Sequence, residues 1–249
     1  MPRGLVAAGR LARLLLHVLR GLAIVHLRFG ALDAAGRQRH IQQWSAGLLR
    51  VLGIGMTVHG TAQPGAKLIV ANHASWLDIS AVHALMPEAR FVSKAAIRDW
   101  PVLGKLVDGA GTIYLERGSK RDALRVVHQT ADALKAGDTV AFFPEGTVGP
   151  GTPLLPFHGN LLQAAIAAQQ PVQPLVLRWH EPGQWFSTST EFVGETTLLQ
   201  SVGRILTAKG LAIELTLLPL VPVTAQSDRR ALAETMREQI ATVLTPVAG

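Results

Sequence analysis

The chain has 249 residues, of which 48% are apolar, so it can bury the core of one ordinary domain together with an accessory segment. It has no cysteine, which excludes disulfides, thiolate metal sites and a cysteine nucleophile. The net charge of +7 is concentrated, because the first 60 residues hold eight arginines and one acid. A nucleic-acid-binding domain would carry its charge on the folded core, so we expect no nucleic-acid partner.

The first predicted element is an apolar helix within residues 5–32. Its polar residues Arg10, Arg13, His17 and Arg20 are spaced by three, four and three, so they form one stripe on a helix. This pattern is typical of a helix that lies in a membrane interface, with its arginines near anionic headgroups. No charge-free run approaches the ~18 residues of a spanning helix, and the arginines interrupt any signal-peptide core. The alternative is a packing helix with a solvated polar stripe.

A second apolar helix is predicted for residues 38–52, so residues 1–55 would form a two-helix, membrane-associating unit in front of a domain over residues 56–249. Strands and helices alternate in that domain, which predicts an α/β fold with a mixed central sheet flanked by helices. The predicted strands are 67–71, 89–93, 111–115, 139–143, 172–177 and 211–217. The predicted helices are 76–86, 119–136, 160–168 and 227–244, and residues 184–197 are predicted to form a surface loop.

The strand at 67–71 leads into His73, and Asp78 follows five residues later. Five helical residues turn through about 500°, so these side chains can meet only if His73 lies in a turn before the next helix. Ser75 is then the expected N-cap, and Asp78 falls in the first turn of the helix. The pair would be a base with its orienting acid, at the end of a strand where open α/β sheets place their sites.

The same residues are compatible with three further roles. Ser75 and Asp78 match a capping box, in which the carboxylate only satisfies a helix N-terminus. Ser75 is also a candidate nucleophile, although the chain has no G-x-S-x-G elbow. A zinc site of His73, Asp78 and His83 in a metal-assisted hydrolase is the third possibility, for which a five-residue spacing is poor.

Four ordered blocks resemble those of the glycerolipid acyltransferase family. Asn72-His73 through Asp78 is similar to the family's HxxxxD box. The second, third and fourth blocks correspond to Gly111–Arg117, Phe143–Thr147 and Pro171–Leu175. Four blocks in the family's order make a stronger signal than any one of them.

The resemblance implies an enzyme that moves a fatty acyl group from an acyl thioester to the sn-2 hydroxyl of 1-acylglycerol-3-phosphate, giving phosphatidic acid. His73 would be the catalytic base and Asp78 its orienting acid. Arginine binds a phosphate through its planar fork, and a lysine often binds the headgroup in this family. The implied substrate-binding residues are Lys94, Arg117, Glu145, Gly146 and Thr147.

The resemblance further implies no cofactor and no metal, with acyl-CoA or acyl carrier protein as the acyl donor. The expected partners are a lysolipid acceptor and the phospholipid surface, at the cytoplasmic face of a bacterial inner membrane. One position departs from the family, since Val148 stands where relatives commonly have arginine. This leaves open another lysophospholipid or a lyso-aminolipid as acceptor. A non-catalytic membrane-binding module is the remaining alternative. The presence of His73, Asp78 and Glu145 disfavours it, because a module without turnover would not need them.

Overall fold

The computed structural model describes residues 3–100, 103–116 and 118–246, in which a seven-stranded sheet lies between two layers of helices. The strands are β1 (Gly55–His59), β2 (Lys67–Ala71), β3 (Arg90–Lys94), β4 (Ile113–Leu115), β5 (Thr139–Phe142), β6 (Val172–His180) and β7 (Ala212–Leu217). The α-helices are α1 (Arg3–Leu27), α2 (Ala34–Leu52), α3 (Asp78–Leu85), α4 (Leu103–Gly109), α5 (Lys120–Lys135), α6 (Leu162–Ala168), α7 (Leu198–Thr207) and α8 (Arg229–Leu244). Short 3₁₀ helices cover Phe29–Ala31 and Ala95–Asp99.

The sheet is mixed, as predicted, with the strand order β1-β7-β6-β2-β5-β3-β4. Strands β6 and β7 are antiparallel, and the other neighbours are parallel. Strand β2 lies between β5 and β6, and every residue of β2 and β5 is buried. Strands covered on both faces have continuous apolar sequences, which explains the run from Leu68 to Ala71.

Each face of the sheet has its own hydrophobic core. One core packs α1, α2, α3 and α7 against the sheet, and the other packs α5, α6 and α8 against the opposite face. Leu14 of α1 and Leu48 of α2 belong to the same core as Ile69 of β2. The N-terminal helices therefore contact the α/β domain directly, and a domain boundary at residue 55 stays a prediction.

Local sequence signals explain where the second helix begins and ends. The Asp33 carboxylate accepts a hydrogen bond from the Gly36 backbone N–H at 2.7 Å and caps the N-terminus of α2. The helix ends at Leu52 and is followed by Gly53, whose φ of 74° is a left-handed conformation that glycine adopts without a side-chain clash. Helix α2 consequently begins at Ala34, before the predicted start at residue 38.

The six predicted strands and the helices near 76–86, 119–136, 160–168 and 227–244 are confirmed to within a few residues. One strand and two α-helices were not predicted, namely β1, α4 and α7, and neither was the 3₁₀ helix Ala95–Asp99. Strand β1 pairs only with β7 among the described strands, and four of its five residues are exposed, so it lacks the apolar pattern of an internal strand. The predicted surface loop at 184–197 contains no helix or regular strand.

The prediction that the arginines of the α1 stripe lie near lipid headgroups is wrong for Arg10, and His17 of the same stripe also packs inside the fold. The Arg10 guanidinium donates to the carbonyls of Leu206 and Ala208, at 3.0 and 2.9 Å, where α7 ends. The His17 ring donates through Nε2 to the Trp44 carbonyl at 2.8 Å. Exposed helix C-terminal carbonyls attract cations, so α7 gives Arg10 a favourable site inside the fold.

The exposed face of α1 is instead rich in leucine. Leu11, Leu15, Leu16 and Leu19 are 42%, 57%, 67% and 61% exposed, and Arg13 and Arg20 are exposed beside them. Membrane association of the two helices stays a prediction. Within the described ranges, no helix combines the length and hydrophobicity needed to cross a bilayer.

Candidate active site

The segment between β2 and α3, residues 72–77, forms a tight turn at the carboxyl end of β2, which we call the His73 turn. It brings His73 and Asp78 together as predicted, with 2.8 Å between the imidazole Nδ1 and the carboxylate Oδ2. Because a carboxylate oxygen accepts, Nδ1 carries the proton and Nε2 is the nitrogen left to accept one. The His73 side chain is 15% exposed, so a substrate can reach it.

Asp78 is completely buried and is surrounded by hydrogen-bond donors. Its Oδ2 accepts from the backbone N–H groups of Ala74 and Ser75 at 2.8 and 2.9 Å, in addition to the imidazole. Its Oδ1 accepts from the indole N–H of Trp179 at 2.6 Å. These four donors satisfy both oxygens of the buried carboxylate and fix its orientation.

The predicted N-cap role of Ser75 is wrong. Helix α3 starts at Asp78, and the Ser75 hydroxyl accepts from the Leu77 backbone N–H at 3.3 Å. The bond from the Ser75 backbone N–H to Asp78 is one half of a capping box. The same carboxylate thus stabilises the turn and orients the imidazole, so a capping contact and the predicted contact with His73 coexist in Asp78.

Glu145 lies behind the His73 turn and holds its backbone. One carboxylate oxygen accepts from the His73 backbone N–H at 2.7 Å, and the other from the Leu155 backbone N–H at 3.3 Å. The His73 carbonyl accepts from the Gly149 backbone N–H at 2.7 Å. Burial raises the pKa of the Glu145 carboxyl above its ordinary range, and the two backbone donors offset part of that rise.

Phe143 packs flat against the His73 imidazole. The two rings are stacked, with centroids 3.9 Å apart and an angle of 4° between their planes. Phe143 directly follows β5, and His73 follows Asn72 at the end of β2. Because β2 and β5 are neighbouring parallel strands, their carboxyl ends bring the two rings together.

Strand β6 holds both ends of the His73 turn. The Asn72 side chain donates to the Leu177 carbonyl and accepts from the Leu177 backbone N–H, both at 2.8 Å. These bonds continue the β2–β6 pairing beyond Ala71, where the backbone leaves the strand. Trp179, further along β6, contacts Asp78 at the other end of the turn.

A pocket of about 550 Å³ adjoins His73. Helices α1 and α2, the segment between β3 and β4, and the His73 turn contribute to its walls. Its lining is mainly apolar, and includes Ile24, Ile41, Leu48, Ile79, Ile97 and Leu106. Large, mainly apolar clefts with a few polar groups are the usual form of small-molecule sites.

The remaining predicted site residues differ in their relation to this pocket. Lys94, Gly146 and Thr147 line it, and so does Val148. Gly146 has a φ of 68°, a conformation that favours glycine and turns the chain after Glu145. Glu145 does not line the pocket, because it lies on the far side of the His73 backbone. Arg117 lies outside the described residues.

His83 lines the same pocket as His73 but does not form a metal-ligand group with His73 and Asp78. Its Nε2 donates to the Ala89 carbonyl at 2.9 Å, and burial lowers its pKa below the ordinary value. In the part of the chain that the structure describes, no group of three or more histidine, aspartate or glutamate side chains has an arrangement that could hold a metal ion.

Several contacts at the site were not predicted from the sequence. They are the Trp179 bond to Asp78, the Asn72 pairing with β6 and the stacking of Phe143 on His73. Trp179 is 101 residues from Asp78, and in the sequence it is indistinguishable from an ordinary core residue. Its position shortly after the fourth block was the one available signal.

Comparisons with known proteins agree on a family. The Acyltransferase domain model matches residues 55–178, which include the His73 turn and Glu145. The 1-acyl-sn-glycerol-3-phosphate acyltransferase of Neisseria meningitidis serogroup B is 35% identical, over 84% of this chain and 82% of its own length. The lyso-ornithine lipid O-acyltransferase of Pseudomonas aeruginosa is 36% identical, over 86% of this chain and 81% of its own length.

The fold also has a counterpart among solved structures. The crystal structure of the 1-acyl-sn-glycerophosphate acyltransferase from Thermotoga maritima matches with a TM-score of 0.69, covering 97% of this chain and 95% of the other. At 18% identity this match shows the fold alone. The family itself is shown by the domain model and by the two curated relatives, which match most of the chain. The chain therefore belongs to the acyltransferase family that includes 1-acyl-sn-glycerol-3-phosphate acyltransferases and lyso-ornithine lipid O-acyltransferases.

Proposed function

We propose that the protein transfers a fatty acyl group from an acyl thioester to the hydroxyl of a lysolipid, with His73 as the general base and Asp78 as its orienting acid. The observation that carries this proposal is the hydrogen bond between His73 Nδ1 and Asp78 Oδ2, beside an apolar pocket. A buried carboxylate on Nδ1 sets the tautomer in which Nε2 accepts a proton, and it stabilises the imidazolium that forms.

The proposed reaction needs no covalent enzyme intermediate. The acceptor hydroxyl oxygen attacks the thioester carbonyl carbon while its proton passes to His73 Nε2. The tetrahedral intermediate then collapses, the carbon–sulfur bond breaks, and the proton leaves His73 with the thiolate. An acyl thioester is already activated, so a positioned base and bound substrates supply most of what the reaction requires.

We place the acyl chain of the donor in the apolar pocket. The pocket adjoins His73, and Ile24, Ile41 and Leu48 in its wall are suited to a hydrocarbon chain rather than to a polar group. The donor is acyl-CoA or acyl carrier protein in this proposal. Both donors carry the same acyl thioester. Because the pocket would contact only the acyl chain, it does not distinguish coenzyme A from the carrier protein.

For the acceptor we propose the sn-2 hydroxyl of 1-acylglycerol-3-phosphate, which would make phosphatidic acid the product. The name of the Neisseria relative and the order of the four blocks support this choice. Lys94 is a cation in the pocket lining and is one proposed phosphate-binding residue. Arg117, which ends the second block, is the other.

A lyso-ornithine lipid is the second candidate acceptor, and Val148 is the specific observation that favours it. Val148 lines the pocket at the position where relatives commonly carry arginine, so it offers no charge to a phosphate. The Pseudomonas relative is named for a lyso-ornithine lipid. An amino-acid headgroup with charges of both signs depends less on a cluster of cations than a phosphate monoester does.

The exposed face of α1 is proposed to hold the enzyme in the membrane interface, where a lysolipid resides. Four leucines are exposed on it, and Arg13 and Arg20 lie where they can contact anionic headgroups. Ile24 and Val25 of the same helix line the pocket. An acceptor in the bilayer would then need only a short path to His73.

The test is an acceptor panel with purified protein and a fixed acyl thioester. The panel contains 1-acylglycerol-3-phosphate, a zwitterionic lysophospholipid and lyso-ornithine lipid, each with and without a chelator. We expect transfer that the chelator leaves unchanged, with the highest kcat/KM for 1-acylglycerol-3-phosphate. A zwitterionic acceptor with a kcat/KM more than about tenfold higher would overturn the choice of acceptor but not the proposed acyl transfer. Transfer to none of the three would contradict the function itself.

A further inference from the structure

The hydrogen bond between Trp179 and Asp78 links the proposed catalytic pair to a strand on which no catalytic residue was predicted. Trp179 lies on β6, is 2% exposed, and donates through its indole Nε1 to Asp78 Oδ1 at 2.6 Å. The opposite oxygen of the carboxylate contacts His73. The two oxygens of Asp78 therefore have different partners, and Trp179 donates to the oxygen that does not contact the imidazole.

The bond restricts the rotation of the carboxylate. Oδ2 must stay in place to accept from His73 and from the Ala74 and Ser75 backbone N–H groups. Without a donor at Oδ1, a fully buried oxygen would lose its only partner among the described residues, and the carboxylate would gain by turning toward other donors. An indole is suited to this position because it donates and cannot accept.

The same strand also fixes the start of the His73 turn. The Asn72 amide pairs with the backbone of Leu177, and the side chains of Leu177 and Trp179 belong to the same core on one side of the sheet. Asn72 holds the turn just before His73, and Trp179 holds the carboxylate that ends it. Strand β6 thereby acts as a rigid template for both ends.

From this geometry we infer that Trp179 is a positioning residue for acyl transfer, which acts on His73 through the Asp78 carboxylate. The inference rests on the proposed roles of His73 and Asp78. Trp179 does not line the pocket, so its effect on the reaction is expected in kcat rather than in KM.

The first experiment compares the purified full-length chain with Trp179→Phe, which keeps an aromatic ring and removes the indole N–H. We expect kcat to fall about ten- to hundredfold, the equivalent of one hydrogen bond to a charged group, while the KM of both substrates changes less than about twofold. Trp185→Phe is the matched control, because it also removes an indole bond, in that case to the Leu244 carbonyl at 2.7 Å. The control should keep the wild-type kcat.

A double-mutant cycle separates positioning from core packing. If Trp179 acts through Asp78, then adding Trp179→Phe to Asp78→Asn should change the remaining kcat by less than about twofold. If Trp179 serves only core packing, Trp179→Phe should lower kcat by the same factor in wild type and in Asp78→Asn. Equal losses would therefore overturn the inference, and so would a wild-type kcat in folded Trp179→Phe.

A spectroscopic measurement keeps the inference testable if Trp179→Phe does not fold. The chain has five tryptophans, so an ¹⁵N-labelled sample gives at most five indole N–H signals. One of them should move upfield in Asp78→Asn, because a charge-assisted bond is replaced by a weaker one. Indole signals that all stay unmoved would overturn the inference. His73→Ala, measured in the same activity assay, tests the proposed function separately, because its turnover must be lost if His73 is the base.

Discussion

His73 is held by its backbone as well as by its side chain. Its N–H donates to Glu145, its carbonyl accepts from Gly149, and its ring is bonded to Asp78 and stacked on Phe143. Nε2 is the polar group of His73 that these contacts leave available to a substrate. If His73 is the base, as we propose, it is already oriented before the substrates bind, which lowers the entropic cost of reaching the transition state.

We expect His73→Ala to remove most of the transferase activity and Asp78→Asn to remove less. Loss of a positioned base typically costs ~10²–10⁴-fold in rate, whereas Asp78→Asn leaves the imidazole present but disturbs its tautomer. The measurement is steady-state turnover of an acyl thioester and a lysolipid, with circular dichroism to confirm folding. His128→Ala is the matched control, since His128 is exposed on α5. Near-native turnover by folded His73→Ala would remove His73 from the mechanism.

Glu145 predicts a pH dependence of stability. Its pKa is raised by burial above the ordinary value of 4.5, so the folded state binds a proton more tightly at this group than the unfolded state does. The Glu145 contribution to stability is fully present below the unfolded pKa of 4.5, and it must fall as the pH rises through the raised pKa. The glutamine in Glu145→Gln cannot ionise, so this variant should not lose stability at position 145 as the pH rises.

The measurement is the urea midpoint of wild type and Glu145→Gln at a series of pH values. The difference should shift in favour of the variant as the pH rises toward neutrality, even though the amide weakens one of the two backbone contacts. Glu195→Gln is the control, since Glu195 is exposed on the surface loop, and it should show no such trend. A difference that does not vary with pH would contradict the raised pKa.

For single residues, the sequence was sufficient where the contact is local. His73 and Asp78 are five residues apart, and on one regular helix their side chains would not meet. Because a strand precedes them, a turn that contains His73 was the arrangement in which they could. Trp179 could not be found in this way, because its contact depends on β6 lying next to β2. Strand order is a property of the whole sheet, and the spacing of residues along the chain does not contain it.

Among the secondary-structure elements, α1 shows what helical periodicity leaves undetermined. The spacing of Arg10, Arg13, His17 and Arg20 predicts one stripe, but it does not say which side of the helix packs inward. The carbonyls at the end of α7 and the carbonyl of Trp44 decide this, since they bind Arg10 and His17. Partners of this kind come from distant elements, so they are visible only in the folded chain.

We expect Leu15→Asp with Leu19→Asp to weaken sedimentation of the full-length chain with anionic vesicles by at least about tenfold. Burying a leucine side chain in an apolar phase is worth about 1.5–3 kcal/mol, and a carboxylate also repels the anionic surface. Leu124→Asp on α5 is the control, because Leu124 and Leu15 are both 57% exposed and α5 packs on the opposite face of the sheet. Unchanged binding by the double variant would place membrane contact elsewhere.

In the molecule as a whole, the pocket is lined by both the N-terminal helices and the α/β domain. Gly21 and Val25 of α1 line it together with His73 and Val148. Gly21 is buried, and a Cβ there would lie 2.3 Å from the Trp44 indole nitrogen, so this glycine permits close packing of α1 on α2. In our proposal, α1 supplies the wall of this pocket that is nearest to the membrane, and the α/β domain supplies His73.

Removing α1 is therefore expected to affect more than membrane binding. Deletion of residues 1–32 takes Leu14 out of the core and opens the pocket wall formed by Ile24 and Val25. We expect a lower Tm and a lower kcat even with substrates presented in detergent, where no vesicle is needed. The Leu15→Asp, Leu19→Asp variant is the control and should keep both. A truncated protein with wild-type Tm and kcat would show that α1 serves the membrane alone.

Val148 is the pocket residue on which our two proposed acceptors make different predictions. Val148→Arg would bring a guanidinium to the pocket wall, and arginine binds a phosphate monoester with two parallel hydrogen bonds. We expect the KM for 1-acylglycerol-3-phosphate to fall several-fold, with kcat nearly unchanged, and the KM for a lyso-ornithine lipid to stay or rise. Val148→Met is the control, since it lengthens the side chain without adding charge. If Val148→Arg and Val148→Met raise both KM values alike, then position 148 acts through volume, and the headgroup must be selected by other residues of the pocket.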